Sequence, residues 1–228
     1  CAIVPHGALS ISGQIAGAVY SRIDIPSVVV LMCSSHSGAD TRGSIMTHGT
    51  FRLPAGGVPI DTRFAEELRS LALLTEDDAP HRNEHALEVQ LPFLLRRNPR
   101  VRIVPIVFGA LPLATCVRIG NALADLMNAH SRDVLAVAVT NLSHYAPVEV
   151  VAERDGRAIE AMRTLDVDGL YAMTDAAIDM DGLAPTAVVL AAARALGASD
   201  AEFVARGDSS AANGDRERAV GYAGLIIR

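Results

Sequence analysis

Apolar residues along this chain fall into two kinds of run. Short β-branched stretches, Val28–Met32, Val101–Phe108 and Val134–Val139, are apolar at nearly every position instead of alternating, as expected of strands covered on both faces. Between them lie alanine- and leucine-rich segments with helical spacing: Ser12–Ser21, Thr62–Leu73, Glu84–Arg97, Leu113–Ala129, Val148–Arg163 and Ala184–Leu196. Such alternation predicts an α/β fold with a mostly parallel sheet and helices on both sides. Asn83 is a candidate cap for the third helix, whose Leu87, Leu91, Leu94 and Leu95 share one face. Pro92 should kink that helix or mark the restart of a new first turn. The stretch from Asp200 to Gly214 reads as the loosest part of the chain, before a last strand at Val220–Ile227. No repeat, low-complexity tract or long linker divides the sequence, so residues 1–228 are expected to form one domain.

Composition narrows the classes of function. With 228 residues, half of them apolar, the chain can bury a sizeable core. The net charge is −6 and lysine is absent, and arginine never clusters into a face that would grip phosphates, which argues against nucleic acid as a partner. No apolar run approaches the ~20 residues of a membrane span. Cys1, Cys33 and Cys116 are odd in number and far apart, which disfavours a disulfide framework or zinc knuckle and fits a reducing cytoplasm. The chain opens on Cys1, directly before a strand that looks half used, so upstream residues are expected to be missing.

Three apolar strands end alike. Ile3-Val4-Pro5 runs into His6, Val28–Met32 into Cys33-Ser34-Ser35-His36, and Val134–Val139 into Thr140-Asn141-Leu142-Ser143-His144. The carboxyl ends of parallel strands line one crevice, so separate strands would deliver His6, His36 and His144 to the same edge. One histidine after a strand is ordinarily a hydrogen-bonding loop residue; the recurrence points to a shared site. Imidazole suits iron, copper or zinc. A further feature is Glu84-His85-Ala86-Leu87-Glu88, where His85 and Glu88 are three apart on one helical face and a carboxylate would orient the ring. An acidic first turn favoured by the helix dipole explains the same residues. His48, His81 and His130 have no such setting and read as surface or loop residues.

These motifs occur in a familiar order. Val4-Pro5-His6-Gly7, Ser34-Ser35-His36, Pro59-Ile60-Asp61, Glu84-His85-Ala86-Leu87-Glu88-Val89-Gln90-Leu91-Pro92-Phe93, Pro105-Ile106-Val107-Phe108-Gly109, Asn141-Leu142-Ser143-His144-Tyr145 and Val220-Gly221-Tyr222-Ala223 resemble the Memo family, whose bacterial members are also called AmmeMemoRadiSam system protein B. The resemblance spans essentially the whole chain, without the family's usual segment ahead of the first histidine motif. It implies a three-layer α/β/α sandwich with a mostly parallel, mixed central sheet, similar to the LigB-type class III extradiol dioxygenases. It also implies a metal site with His6 and His36 as ligands and with His85 and His144 lining the pocket as acid/base candidates.

The third family ligand is a cysteine, and its position here is Asp181, in Met180-Asp181-Gly182. Two histidines and one carboxylate form the set that suits non-haem Fe(II), with copper and zinc as alternatives. An Asp-Gly pair is also a common turn. The chain departs from the family pattern again at Leu9, where a tyrosine is usual, and at Asn141, where an aspartate is common. The implied activity is that of an iron-dependent oxidoreductase with a small-molecule or peptide substrate. The alternatives are a non-catalytic binding module working with AMMECR1-like and radical SAM proteins, and a zinc hydrolase.

Overall fold

A computed structural model describes residues 1–38, 41–72, 74–130, 134–173 and 179–228. Among the described residues ten strands are formed: β1 (Ala2–Val4), β2 (Val28–Ser34), β3 (Ser44–Ile45), β4 (Thr50–Leu53), β5 (Gly56–Pro59), β6 (Thr75–Glu76), β7 (Arg102–Phe108), β8 (Val134–Val139), β9 (Ala201–Asp208) and β10 (Gly221–Ile227). The helices are α1 (Leu9–Ser21), α2 (Thr62–Ala72), α3 (His85–Glu88), α4 (Leu91–Arg97), α5 (Leu113–Ala129), α6 (Val148–Arg163), α7 (Val167–Ala172), α8 (Leu183–Ala195) and α9 (Ser210–Asn213). The end of the second expected helix, Leu73, lies outside the described residues.

Eight strands make one sheet in the order β6-β3-β7-β2-β8-β1-β10-β9, and β4 and β5 pair separately. Its centre, β7-β2-β8-β1, is parallel, while β3, β10 and β9 join antiparallel. This is the mixed, mostly parallel arrangement expected. Val28 to Cys33, Ile103 to Phe108 and Leu135 to Val139 are fully or nearly fully buried, because helices cover both faces and leave no polar side for these strands to show. On β10, Gly224 faces Val19 and Ile15 of α1, whereas Gly221 faces Asp155 and Val151 of α6, so these two helices lie on opposite faces. Helix α8 is buried from Ala184 to Ala193. Gly120 of α5 sits so close to it that a Cβ there would lie 2.6 Å from the Val188 carbonyl oxygen. A helix apolar all round, as α8 is, belongs in an interior.

Three expectations are corrected. The single helix Glu84–Arg97 is two, α3 and α4, because Pro92 lacks a backbone N–H and takes the first turn of the second helix. Glu84, not Asn83, caps α3, its carboxylate accepting from the Ala86 N–H. The segment 200–214 is not loose: Ala201–Asp208 is an edge strand against β10, followed by the short helix α9. Edge strands tolerate the polar residues that disguised it. Among the described residues, no helix is long and apolar enough to cross a membrane.

Candidate metal centre

Strand register decides where the histidines emerge. Val4 pairs with Val139 and Met32 with Ala138, so β1, β8 and β2 release the chain at one level of the sheet edge. His6 follows β1, His36 follows β2, and the segment Thr140–His144 follows β8. The rings of His6 and His36 have centroids 4.7 Å apart, and that of His85 lies 5.2 and 5.0 Å from them. Asp181 comes from the residues that lead into α8. Its Oδ2 is 2.8 Å from His6 Nε2, 3.5 Å from His36 Nε2 and 3.5 Å from His144 Nε2.

The remote atoms of these groups are tied down by other partners. Asp181 Oδ1 accepts from the Asn141 N–H at 2.9 Å and the Thr140 hydroxyl at 3.2 Å, which leaves Oδ2 for the imidazoles. His36 turns Nδ1 to Glu84 Oε1 at 2.8 Å, and His144 turns Nδ1 to the Asp179 carbonyl at 2.8 Å. His6 Nδ1 meets His85 Nε2 at 3.3 Å, and the His6 backbone N–H donates to Asn141 Oδ1 at 3.1 Å. Below, buried Gln90 donates to the Pro5 carbonyl and accepts from Tyr20, pinning the residue that precedes His6. Buried Asp155 of α6 accepts from the Ser143 N–H and fixes the turn that carries His144.

The donor set fits a divalent ion. Nitrogen and oxygen ligands at about 2.1 Å from one ion lie roughly 3.0 to 3.4 Å from one another, depending on geometry. The separations of 2.8 and 3.5 Å from Asp181 Oδ2 to His6 and His36 bracket that span. Hydrogen bonds to Asp181 and then Glu84 push the His36 imidazole up to about 10, against the effect of burial. Burial would raise the Asp181 carboxyl, but bonds from His144, His36 and His6 outweigh it and hold the group well below the usual range. His144 is raised chiefly by its bond to Asp181. His85 is lowered, first by burial and then by the neighbouring His6 and His36. Its side chain is nonetheless 54 % exposed, whereas that of His6 is 3 % exposed.

A cavity of about 400 Å³ opens beside Asp181, walled by Ser34, Ser35, Phe108, Leu111, Tyr171 and Leu183. A larger one, about 710 Å³, lies around Arg102, where β7 begins, and contains none of the converging histidines. None of the converging histidines lines the smaller cavity either; it is tied to the cluster through Asp181, which lines it.

All five site residues named from sequence, His6, His36, Asp181, His85 and His144, are brought together. Of the two carboxylates in the segment Glu84–Glu88, it is Glu84 that meets a histidine of the cluster, His36, while Glu88 lines a separate cavity and is exposed. Reading Glu84 as a mere first-turn acid missed this; the sequence signal was its place directly before His85, at the point where the helix starts. Thr140, Gln90 and Asp155 were missed as well, since single polar residues among apolar neighbours carry no spacing signal. Two other histidines need correction. His81 is buried, its Nε2 donating to Ser44, and His130 is largely buried against Phe64 with Glu67 at 2.7 Å. Only His48 of the three is exposed, at 72 %.

Comparison with known proteins identifies the family and the fold. A MEMO1 family protein of Methanopyrus kandleri is 32 % identical over 232 residues, covering 99 % of this chain and 82 % of that protein. One from Methanosarcina barkeri is 33 % identical, covering 99 % and 85 %, and one from Aquifex aeolicus is 34 % identical, covering 99 % and 84 %. The crystal structure of an uncharacterized protein from Escherichia coli K12 matches with a TM-score of 0.60 at 16 % identity, over 98 % of this chain and 97 % of that one, which establishes a shared fold. The family model described as Memo-like protein matches residues 1–226, and the chain belongs to the Memo family.

Proposed function

We propose that the chain is a metal-dependent oxidoreductase in which His6, His36 and Asp181 hold Fe(II), acting on a substrate that enters the cavity beside Asp181. The observation that carries this reading is the approach of two imidazole Nε2 atoms to one carboxylate oxygen, each group being held from behind by a separate hydrogen bond. Two histidines and a carboxylate favour a hard or borderline ion, so Fe(II) is preferred over Cu(I). Such an ion would supply one-electron chemistry with dioxygen that no side chain offers. The protein's own contribution is then positional. Phe108, Leu111 and Leu183 would keep water from the reacting groups, while Ser34 and Ser35 would offer hydroxyls to orient a substrate. His85 and His144 would take up or return a proton, being the imidazoles of the cluster outside the proposed ligand set.

The same three donors would also serve zinc, with bound water as the reagent, and the test separates the two. Purified protein is loaded anaerobically with Fe(II) or Zn(II), desalted, and measured by elemental analysis and oxygen uptake. The expected result is one iron per chain in the wild type, a stoichiometric loss in Asp181→Ala, and, with a catechol supplied as the oxidisable probe, oxygen consumption in the iron-loaded protein alone. A wild-type protein that retains no iron, copper or zinc at stoichiometric level overturns the proposal. Hydrolytic turnover with zinc in the absence of oxygen transfers it to the hydrolase reading.

A further inference from the structure

We infer that Glu84 is the positioning residue for His36, fixing both where that residue sits and which ring nitrogen it offers to the ion; the inference rests on the metal reading above. Glu84 is the most deeply placed charge of the cluster, with a side chain that is 0 % exposed. One oxygen, Oε2, accepts from the His36 backbone N–H at 2.9 Å. The other, Oε1, faces His36 Nδ1 at 2.8 Å and also accepts from the Ala86 N–H at 3.0 Å. A single carboxylate thus grips the main chain and the ring of the same residue, and does so from a helix start.

The geometry has a chemical consequence. A carboxylate accepts hydrogen bonds and cannot donate them, so Nδ1 of His36 must carry the proton, and the lone pair of the neutral ring then lies on Nε2. Nε2 is the atom turned toward Asp181. A carboxylate behind a ligating histidine sets the tautomer and the ring plane and raises the basicity of the coordinating nitrogen. His36 requires such support more than His6 does, because its side chain is 29 % exposed while that of His6 is 3 % exposed and packed from several sides. Burying Glu84 without partners would be costly, and here three N–H donors meet it. Glu84 also capping α3 explains why it directly precedes His85: one short helix start supplies the support for a ligand and sets another imidazole over the site.

The experiment uses Co(II) as the probe, since its visible spectrum reports the ligand set while titration gives affinity. Wild type, Glu84→Gln, Glu84→Asp and Glu88→Gln are compared, each first shown by thermal unfolding to be folded. Glu84→Asp keeps the charge but is one methylene too short to hold ring and main chain together, so it separates reach from electrostatics. The expected result is a loss of affinity of about 10- to 100-fold in both Glu84 variants, with a changed spectrum, and no change in Glu88→Gln. Both Glu84 variants binding within about threefold of wild type, with its spectrum, overturns the positioning role and leaves the metal reading intact. A wild type that binds no Co(II) takes both down. If neither Glu84 variant folds, nitrogen-15 NMR of the zinc-loaded wild type decides: a protonated Nδ1 on His36 supports the inference, and coordination through Nδ1 overturns it.

Discussion

Single residues in this protein are exposed to strong and opposing forces, and burial does not decide all of them the same way. Asp181 is partly buried yet stays ionised, because three imidazoles and two further donors surround it. His81 shows the opposite outcome. It is buried with Nε2 donating to Ser44, while Nδ1 has no hydrogen-bond partner among the described residues, and burial lowers its affinity for a proton despite the pull of Asp78, Asp77 and Glu84. In the unfolded chain the same side chain titrates at about 6.5. The folded state therefore binds the proton less readily, and the stability His81 confers is complete above about pH 6.5 and is lost as pH falls toward its lower folded value. His36 and His144, whose folded values are raised, add stability as pH falls toward 6.5, so the His81 contribution is read below that: melting temperature should decline between pH 6.5 and pH 5, and His81→Gln should flatten that decline even if it lowers stability at pH 6.5. An equally steep decline in the variant would show that other groups govern it.

At the scale of elements, the site depends on how closely the loop before α8 meets the end of β8. The Gly182 N–H donates to the Thr140 hydroxyl at 3.0 Å, and a Cβ at Gly182 would stand 2.3 Å from Thr140 Cβ. Gly182→Ala must push the two segments apart, displacing Asp181 from Thr140 and Asn141 although no proposed ligand is altered. Ion affinity in this variant should drop by roughly tenfold or more, as loss of supporting contacts does elsewhere, and titration that returns the wild-type value would contradict the account. This contact also marks what the sequence could and could not convey. Buried parallel strands announce themselves through unbroken apolar runs, and the residues after β1, β2 and β8 converge because parallel register leaves them no other edge. Helix starts were legible only approximately, since Asn83 is the residue type favoured at a cap and tertiary contact with His36 selects Glu84 instead. Strand β9 was hidden because an edge strand need not be apolar, and the buried state of His81 because nothing local distinguishes it from a loop histidine. Asp181 came through family resemblance alone, as an Asp-Gly pair before a helix has several ordinary uses.

For the whole molecule, the proposed ligand set is assembled from residues 6, 36 and 181, and no local segment could form it. Its precision derives from the sheet, where β1, β2 and β8 are adjacent and level, and from α8, which is buried on every side and fixes the approach of Asp181. A rigid scaffold that holds three donors before an ion arrives loses little entropy on binding it, which is the value of preorganisation. Family membership gives the fold, and Asp181 gives the proposed ligand set its carboxylate. The most direct test is a crystal of protein loaded with Fe(II) under anaerobic conditions, with anomalous differences recorded on either side of the iron edge. The account predicts one iron peak per chain, within bonding distance of His6 Nε2, His36 Nε2 and Asp181 Oδ2. A peak bound elsewhere, or none at those three atoms in iron-saturated crystals, would contradict it.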